Sequence, residues 1–222
     1  MNKLPGTIFD TRERGPRDSG GAVQDRPSNR SSTHRVLRPA IILLIVLTVI
    51  TGIAYPLAVT GVARALFPTQ AAGSLIAKDG EPVGSRLIGQ PFSDPKYFWS
   101  RPSAASPQPY NGLASGGSNL GPLNPALTEA IEARIAALRA ADPLNRAPIP
   151  VDLVTASASG LDPDISLAAA YYQTARIARI RHLSLHQVRA LISDHAMRPW
   201  LGVLGEPRVN VLELNLDLDG MK

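Results

Sequence analysis

The chain contains 25 consecutive residues without a charge, Pro39–Ala63 (PAIILLIVLTVITGIAYPLAVTGVA). At about 1.5 Å per residue, a helix of that length reaches roughly 37 Å, against a hydrocarbon core of about 30 Å. A buried core helix this long would show a polar stripe, and this run has none. A cleaved secretion signal has an apolar stretch of about 7–15 residues behind a short basic region. Here both the run and the arm before it are longer, and only a weak Ala63-Arg64-Ala65 cleavage pattern follows. The run predicts an uncleaved transmembrane helix over 39–63.

Flanking charge sets the orientation. Residues 1–38 hold eight Lys or Arg against four acids, whereas the remaining 184 hold 15 against 14. The pI near 9.9 thus comes from the N-terminal arm, which removes the main support for a nucleic-acid-binding surface. Arg26, Arg30, Arg35 and Arg38 precede the span closely, while beyond it come only Arg64 and, later, Lys78. Cytoplasmic flanks accumulate Lys and Arg, so the expected topology is N-terminus inside and residues 64–222 outside. The arm, rich in Pro, Gly, Ser and Arg without a period, reads as a disordered cytoplasmic tail. Tyr55 and Phe67 suit the interfaces. Pro56 lacks an N–H and opposes the carbonyl of Gly52, so a kink is expected near the outer end.

Thr48, Gly52, Ala54 and Ala58 form two small-xxx-small pairs, a pattern that lets helices approach closely in lipid. Gly52, Ala54 and Ala58 are therefore candidate partner contacts, although the same residues suit a plain anchor. A single span cannot line a transport path alone.

The outer 159 residues suffice for one core, and the absence of Cys excludes disulfides, thiolate zinc sites and iron–sulfur centres. Residues 73–99 read as short strands and turns, punctuated by Asp79-Gly80 and Asp94-Pro95. A long Pro/Gly/Ser/Asn-rich loop covers 101–125. Asn124-Pro125 then starts a helix carrying Leu127, Ile131, Ile135 and Leu138, which stops at Asp142-Pro143. Val151–Thr155 reads as a strand, Asp162-Pro163 as the cap of a helix to about Arg181, and Ser184 with Gln187 as a capping box. The ending VNVLELNLDLD alternates with one slip at Leu212 and reads as a strand with a bulge. The expected class is α+β, with one transmembrane helix followed by one extracytoplasmic domain.

Several constellations invite chemistry. The loop Asn111–Pro122 (NGLASGGSNLGP) has the glycines of a phosphate cradle, but lacks GxxxxGK[ST] and G-x-G-x-x-G spacing. It reads instead as a surface presenting backbone and small polar groups, with Asn111, Ser115, Gly116, Gly117, Ser118 and Asn119 as candidate partner contacts. Ser157 and Ser159 before a helix, with His182, His186 or His195 as base, suggest a signal-anchored extracytoplasmic serine hydrolase. No G-x-S-x-G elbow surrounds them, and residues 160–164 explain the segment as a cap. His182 and His186 are four apart across an expected helix break, which argues against a metal pair. Residues 165–195 look like a helix-turn-helix with Arg176, Arg179, Arg181 and Arg189 exposed. That would make a membrane-anchored regulator only if the topology were reversed.

The blocks LRPAIILLIVLTVITGIAYPLAVTGVARALFPTQAAGSLI (37–76), VGSRLIGQPFSDPKYFWSRPSA (83–104), YNGLASGGSNLGPLNPAL (110–127), ASASGLDPDIS (156–166) and LGVLGEPRVNVLELNLDLDG (201–220) resemble the C-subunit family of the Kdp potassium-transporting ATPase. The resemblance implies an accessory subunit of a high-affinity potassium pump in the cell (inner) membrane, with A, B and F subunits as partners. It also implies a role in assembly and in raising the ATP affinity of the catalytic B subunit, called catalytic chaperoning. The chain would then bind no cofactor of its own, ATP being held by the partner subunit, and would bind neither nucleic acid nor a small-molecule substrate alone. The sequence has no D-K-T-G, Walker A or T-V-G-Y-G motif, in keeping with a non-catalytic subunit. With the domain outside, any effect on ATP must pass through membrane helices or other subunits.

Overall fold

The computed structural model describes residues 30–221; of the disordered tail expected over 1–38, residues 1–29 lie outside the described residues, and residues 30–38 are not irregular but form the start of a helix. The described chain divides into two units, at Ala58/Val59. The first consists of helix α1 (Arg30–Val49), a π-helical turn (Ile50–Ala54) and the start of α2 (Tyr55–Leu66). Helix runs without a break from Arg35 to Leu66, is long and apolar enough to cross a membrane, and buries none of its apolar window. The expected disturbance before Pro56 takes the form of the π-turn: Tyr55 N–H donates to the Ile50 carbonyl, five residues back. A proline in the next turn supplies no N–H, and widening the helix by one residue re-routes the ladder around it. The Thr51 hydroxyl donates to the Leu47 carbonyl at 2.7 Å beside this turn.

The second unit begins with the end of α2 and the short α3 (Pro68–Ala71). It continues into an antiparallel hairpin of β1 (Leu75–Lys78) and β2 (Glu81–Ser85). Asp79 and Gly80 turn it with φ of 55° and 86°, the pair of positive angles a two-residue type I′ turn requires. Then come α4 (Pro125–Ala141), β3 (Asp164–Ser166), α5 (Leu167–Arg181), α6 (Leu185–Asp194), β4 (Arg208–Asn210) and α7 (Val211–Gly220). The expected α+β class holds. β3 and β4 pair antiparallel, with Ile165 opposite Val209. Two helix starts agree with the sequence reading: Asn124 accepts from Ala126 N–H, and Ser184 with Gln187 forms a complete capping box.

Three expectations are corrected. Val151–Leu153 is a 3-10 turn, not a strand; Val154 N–H and the Thr155 hydroxyl both donate to the Val151 carbonyl. The fifth helix starts at Leu167, because Ser166 Oγ accepts from Ala169 N–H at 3.0 Å while residues 164–166 pair with β4. The C-terminal segment is a strand only through Asn210, whose side chain then caps α7 by accepting from Glu213 N–H. Val211, Leu214, Asn215 and Leu218 are buried at helical spacing, so the slip at Leu212 marks the change of period rather than a bulge.

The core joins α5, α6 and α7 to an irregular segment, Tyr97–Ser100. Phe98, Leu153, Ile165, Ile177, Val188, Ile192, Val209, Leu214 and Leu218 are fully buried. Enclosing a side chain such as Phe98 stabilises by about 1.5–3 kcal/mol. Backbone drawn into a core without a strand partner must find donors and acceptors elsewhere. Two side-chain amides supply them. Asn215 accepts from Phe98 N–H (2.8 Å) and donates to its carbonyl (3.0 Å); Gln173 does the same for Trp99 at 2.8 and 3.2 Å. Arg134 and Arg176 lie over the Trp99 ring, 4.9 and 5.1 Å from its centroid. Arg176 also donates to the carbonyls of Pro95 and Tyr97 and to Gln173 Oε1. Burial pushes its guanidinium down to about 10, still a cation at neutral pH.

Candidate docking surfaces

The loop predicted from Asn111 to Asn119 is seated, not adrift. Its entry, Tyr110, adopts a positive φ of 58°; its N–H donates to Ser103 Oγ (2.9 Å) and its hydroxyl to the Arg101 carbonyl. Burial also raises the Tyr110 phenol above its ordinary range. Asn111 folds the next residues into an Asx turn, accepting from Leu113 N–H through Oδ1 and from Ala114 N–H through its carbonyl. Ser115 Oγ and Gly116 N–H then both donate to the Ser159 carbonyl at 2.9 Å. Close approach requires glycine on both sides here. A Cβ on Gly117 would meet the Ala158 carbonyl oxygen at 2.9 Å, and one on Gly160 (φ 67°) the Gly116 oxygen at 2.7 Å.

Sequence reasoning thus identified the loop but misjudged its neighbour. Ser157–Gly160 is not a helix cap; it is the shelf on which residues 115–117 rest. Ser159 Oγ accepts from Leu161 N–H, and Ser157 is buried with its N–H donating to the Pro102 carbonyl. Among the described residues, no hydrogen bond joins either serine to a histidine. His182 and His186 are exposed, and His195 Nε2 lies 2.8 Å from Asp217 Oδ2. No group of three or more His, Cys, Asp or Glu capable of holding a metal occurs among the described residues.

Two leucines escaped the sequence reading. Leu113 is fully exposed and Leu123 is 96% exposed, at either end of the seated loop. The available signal was an apolar residue inside a Gly/Ser/Asn-rich stretch with no helical or strand period to bury it. Ser118 and Asn119 face solvent between them, Asn119 with a positive φ of 52°. The arrangement can present small polar groups and two aliphatic knobs to another surface, and it brings no nucleophile and base together.

The helix-turn-helix reading loses its recognition surface. Arg176 is buried rather than exposed, Arg179 pairs with Asp142 at 2.7 Å, and Arg181 with Asp219 at 2.7 Å. Of the four arginines expected on that face, only Arg189 is both exposed and without a carboxylate partner among the described residues.

In the first unit Gly52, Ala54 and Ala58 are exposed along the helix. Thr48 Cγ2 lies 4.0 Å from where a Gly52 Cβ would stand, so Thr48 and Gly52 share one face. The π-turn begins within this face and covers Gly52 and Ala54. Such turns inside helices recur at functional positions.

Comparison with known proteins follows the same residues. The family model "K+-transporting ATPase, c chain" matches residues 37–220. A potassium-transporting ATPase KdpC subunit of Polaromonas naphthalenivorans is 67% identical over 187 residues, covering 84% of this chain and 95% of the relative. That of Variovorax paradoxus is 67% identical over 186 residues, covering 84% and 96%. That of Ralstonia nicotianae is 63% identical over 203 residues, covering 90% of this chain and all of the relative. The match runs through the apolar helix, the seated loop and α7 alike, and the chain belongs to the KdpC family, the C chain of the K+-transporting ATPase.

Proposed function

We propose that this chain is a non-catalytic accessory subunit, required to assemble the potassium pump and to raise the ATP affinity of the catalytic B subunit. It spans the inner membrane once with its N-terminus in the cytoplasm and residues 64–222 outside, and it meets the A, B and F subunits. The observation that carries this reading is the loop Asn111–Asn119, clamped to Ser159, with Leu113 within it fully exposed and Leu123 just beyond it 96% exposed. A pre-formed loop offering aliphatic knobs loses little entropy on docking. Gly52, Ala54 and Ala58 supply a second contact, within the bilayer. The B subunit's ATP site is then reached only through coupling across subunits, worth typically about 1–3 kcal/mol.

The test is purification of the pump through a tag on this chain, comparing the native sequence with Leu113→Ser/Leu123→Ser. Recovery of the A, B and F subunits with the native chain, and a loss of tenfold or more with the variant, is expected. Undiminished recovery removes the loop from the interface. Orientation is checked separately, since the native chain is Cys-free. A cysteine at Ser118 should react with an impermeant reagent in intact spheroplasts, and one at Ser19 should not.

A further inference from the structure

Residues 197–208 build a small two-tiered hairpin, distinct from the seated loop. At its root Met197 and Arg208 exchange backbone hydrogen bonds of 2.8 and 3.1 Å; at its tip Trp200 and Leu204 exchange bonds of 2.9 and 3.0 Å. Leu201 and Gly202 turn the chain with φ of 54° and 77°. No charge falls between Arg198 and Glu206. The tip displays Trp200 (68% exposed), Leu201 (75%), Val203 (78%) and Leu204 (57%). A contiguous apolar patch of this kind marks an interaction surface, and nothing among the described residues covers it.

We propose that the tip, Trp200–Leu204, inserts into the boundary between headgroups and acyl chains of the bilayer that holds the chain's own apolar helix. Three observations favour lipid over a protein groove. The N–H groups of Trp200, Gly202, Val203 and Leu204 all donate within residues 199–204, so four of the tip's five N–H groups bring their partners with them into an apolar phase. Its composition, Trp with aliphatic residues and an exposed flanking Arg198 that has no carboxylate partner among the described residues, matches an interfacial anchor whose cation meets lipid phosphate. The tether is short: residues 67–74 separate the end of α2 from β1, a reach of at most roughly 28 Å. His195, just before the hairpin root, lines one cleft with Ile76, Ala77 and Lys78 of β1, the first strand after that tether.

Leu201→Cys gives a single attachment point in a Cys-free chain. The full chain, labelled there with an environment-sensitive fluorophore, is reconstituted in phosphatidylcholine/phosphatidylglycerol vesicles, with and without lipid brominated high in the acyl chain. Insertion predicts blue-shifted emission quenched by half or more by the brominated lipid. A label at Ser118 should stay accessible to aqueous iodide. Val203→Cys must repeat the Leu201→Cys pattern, which guards against a local folding defect at one site. Emission at both positions matching that at Ser118, unquenched by lipid, overturns the proposal. In the assembled pump a photo-crosslinker at Val203 should give lipid adducts. A crosslink to another subunit overturns the proposal and makes the hairpin a subunit contact.

Discussion

Asn215 on α7 and Phe98 in the irregular segment exchange two hydrogen bonds, 2.8 and 3.0 Å, so that a side-chain amide completes the backbone of a residue with no exposed surface. The bond pair stands where a neighbouring strand would otherwise be, and Gln173 repeats the device one residue later. The core therefore tolerates loop-like backbone at its centre without leaving polar groups unpaired.

Asn215→Ala leaves both the Phe98 N–H and its carbonyl buried and unpartnered. Each such group costs about 1–3 kcal/mol, so a loss of about 2–6 kcal/mol is expected in denaturant unfolding of the full chain in detergent. Leu216→Ala, on the same helix but half-buried, should cost less. Equal losses from the two would show the amide pair to be dispensable.

The loop is held by two glycines that admit no Cβ, and this separates seating from contact. Gly117→Val places side-chain atoms against the Ala158 carbonyl and should lift residues 115–117 from their shelf. Leu113→Ser and Leu123→Ser leave the shelf intact, because both side chains already face solvent. Both kinds of change should reduce recovery of the assembled pump, the leucine pair by tenfold or more, equivalent to about 1.4 kcal/mol or more. Only Gly117→Val should also alter proteolysis within residues 110–124. Recovery that falls with Gly117→Val alone would mean that the leucines touch nothing.

Much of this was legible from residue order because the signals were local. The apolar run, the Asp79-Gly80 turn, the Asn124 cap and the Ser184/Gln187 box each depend on residues within one or two turns of each other. The errors arose where a distant partner decided. Val151–Thr155 has strand propensity but no strand to pair with, so it closes on its own carbonyl instead. Val209–Asp219 alternates like a strand, yet only residues 208–210 meet β3; beyond them the Phe98 backbone and the core select a helix. At the candidate docking surface, glycine spacing marked residues 111–122 as a loop, but its shelf at 157–160 is some forty residues away in sequence, which no local pattern encodes.

Within the membrane, the π-turn and the small residues share Gly52 and Ala54. Gly52→Leu and Ala58→Leu each add bulk to a face suited to close helix approach while leaving the contacts within residues 67–221 untouched. Each should lower recovery of the pump from detergent without changing the unfolding midpoint of the domain. Unchanged recovery for both would reduce the helix to an anchor.

The last prediction sets the accessory role against an enzyme's. Ser157 is buried, Ser159 serves a turn, His182 and His186 face solvent, and His195 is paired with Asp217 away from both serines' hydrogen-bond partners. A hydrolase needs nucleophile and base within hydrogen-bond reach, and among the described residues no hydrogen bond joins either serine to a histidine. Replacing each of the five in turn with Ala should leave potassium-stimulated ATP hydrolysis by the assembled pump within a few-fold of the native rate. Ser159→Ala should be the mildest of the two serine changes, because the shelf contacts to Ser115 and Gly116 run through its carbonyl rather than its hydroxyl. His195→Ala should cost stability through its lost Asp217 contact rather than turnover per assembled complex. A fall of about 10³-fold or more in turnover from any one of them, the scale of a lost nucleophile or base, would restore the enzyme reading.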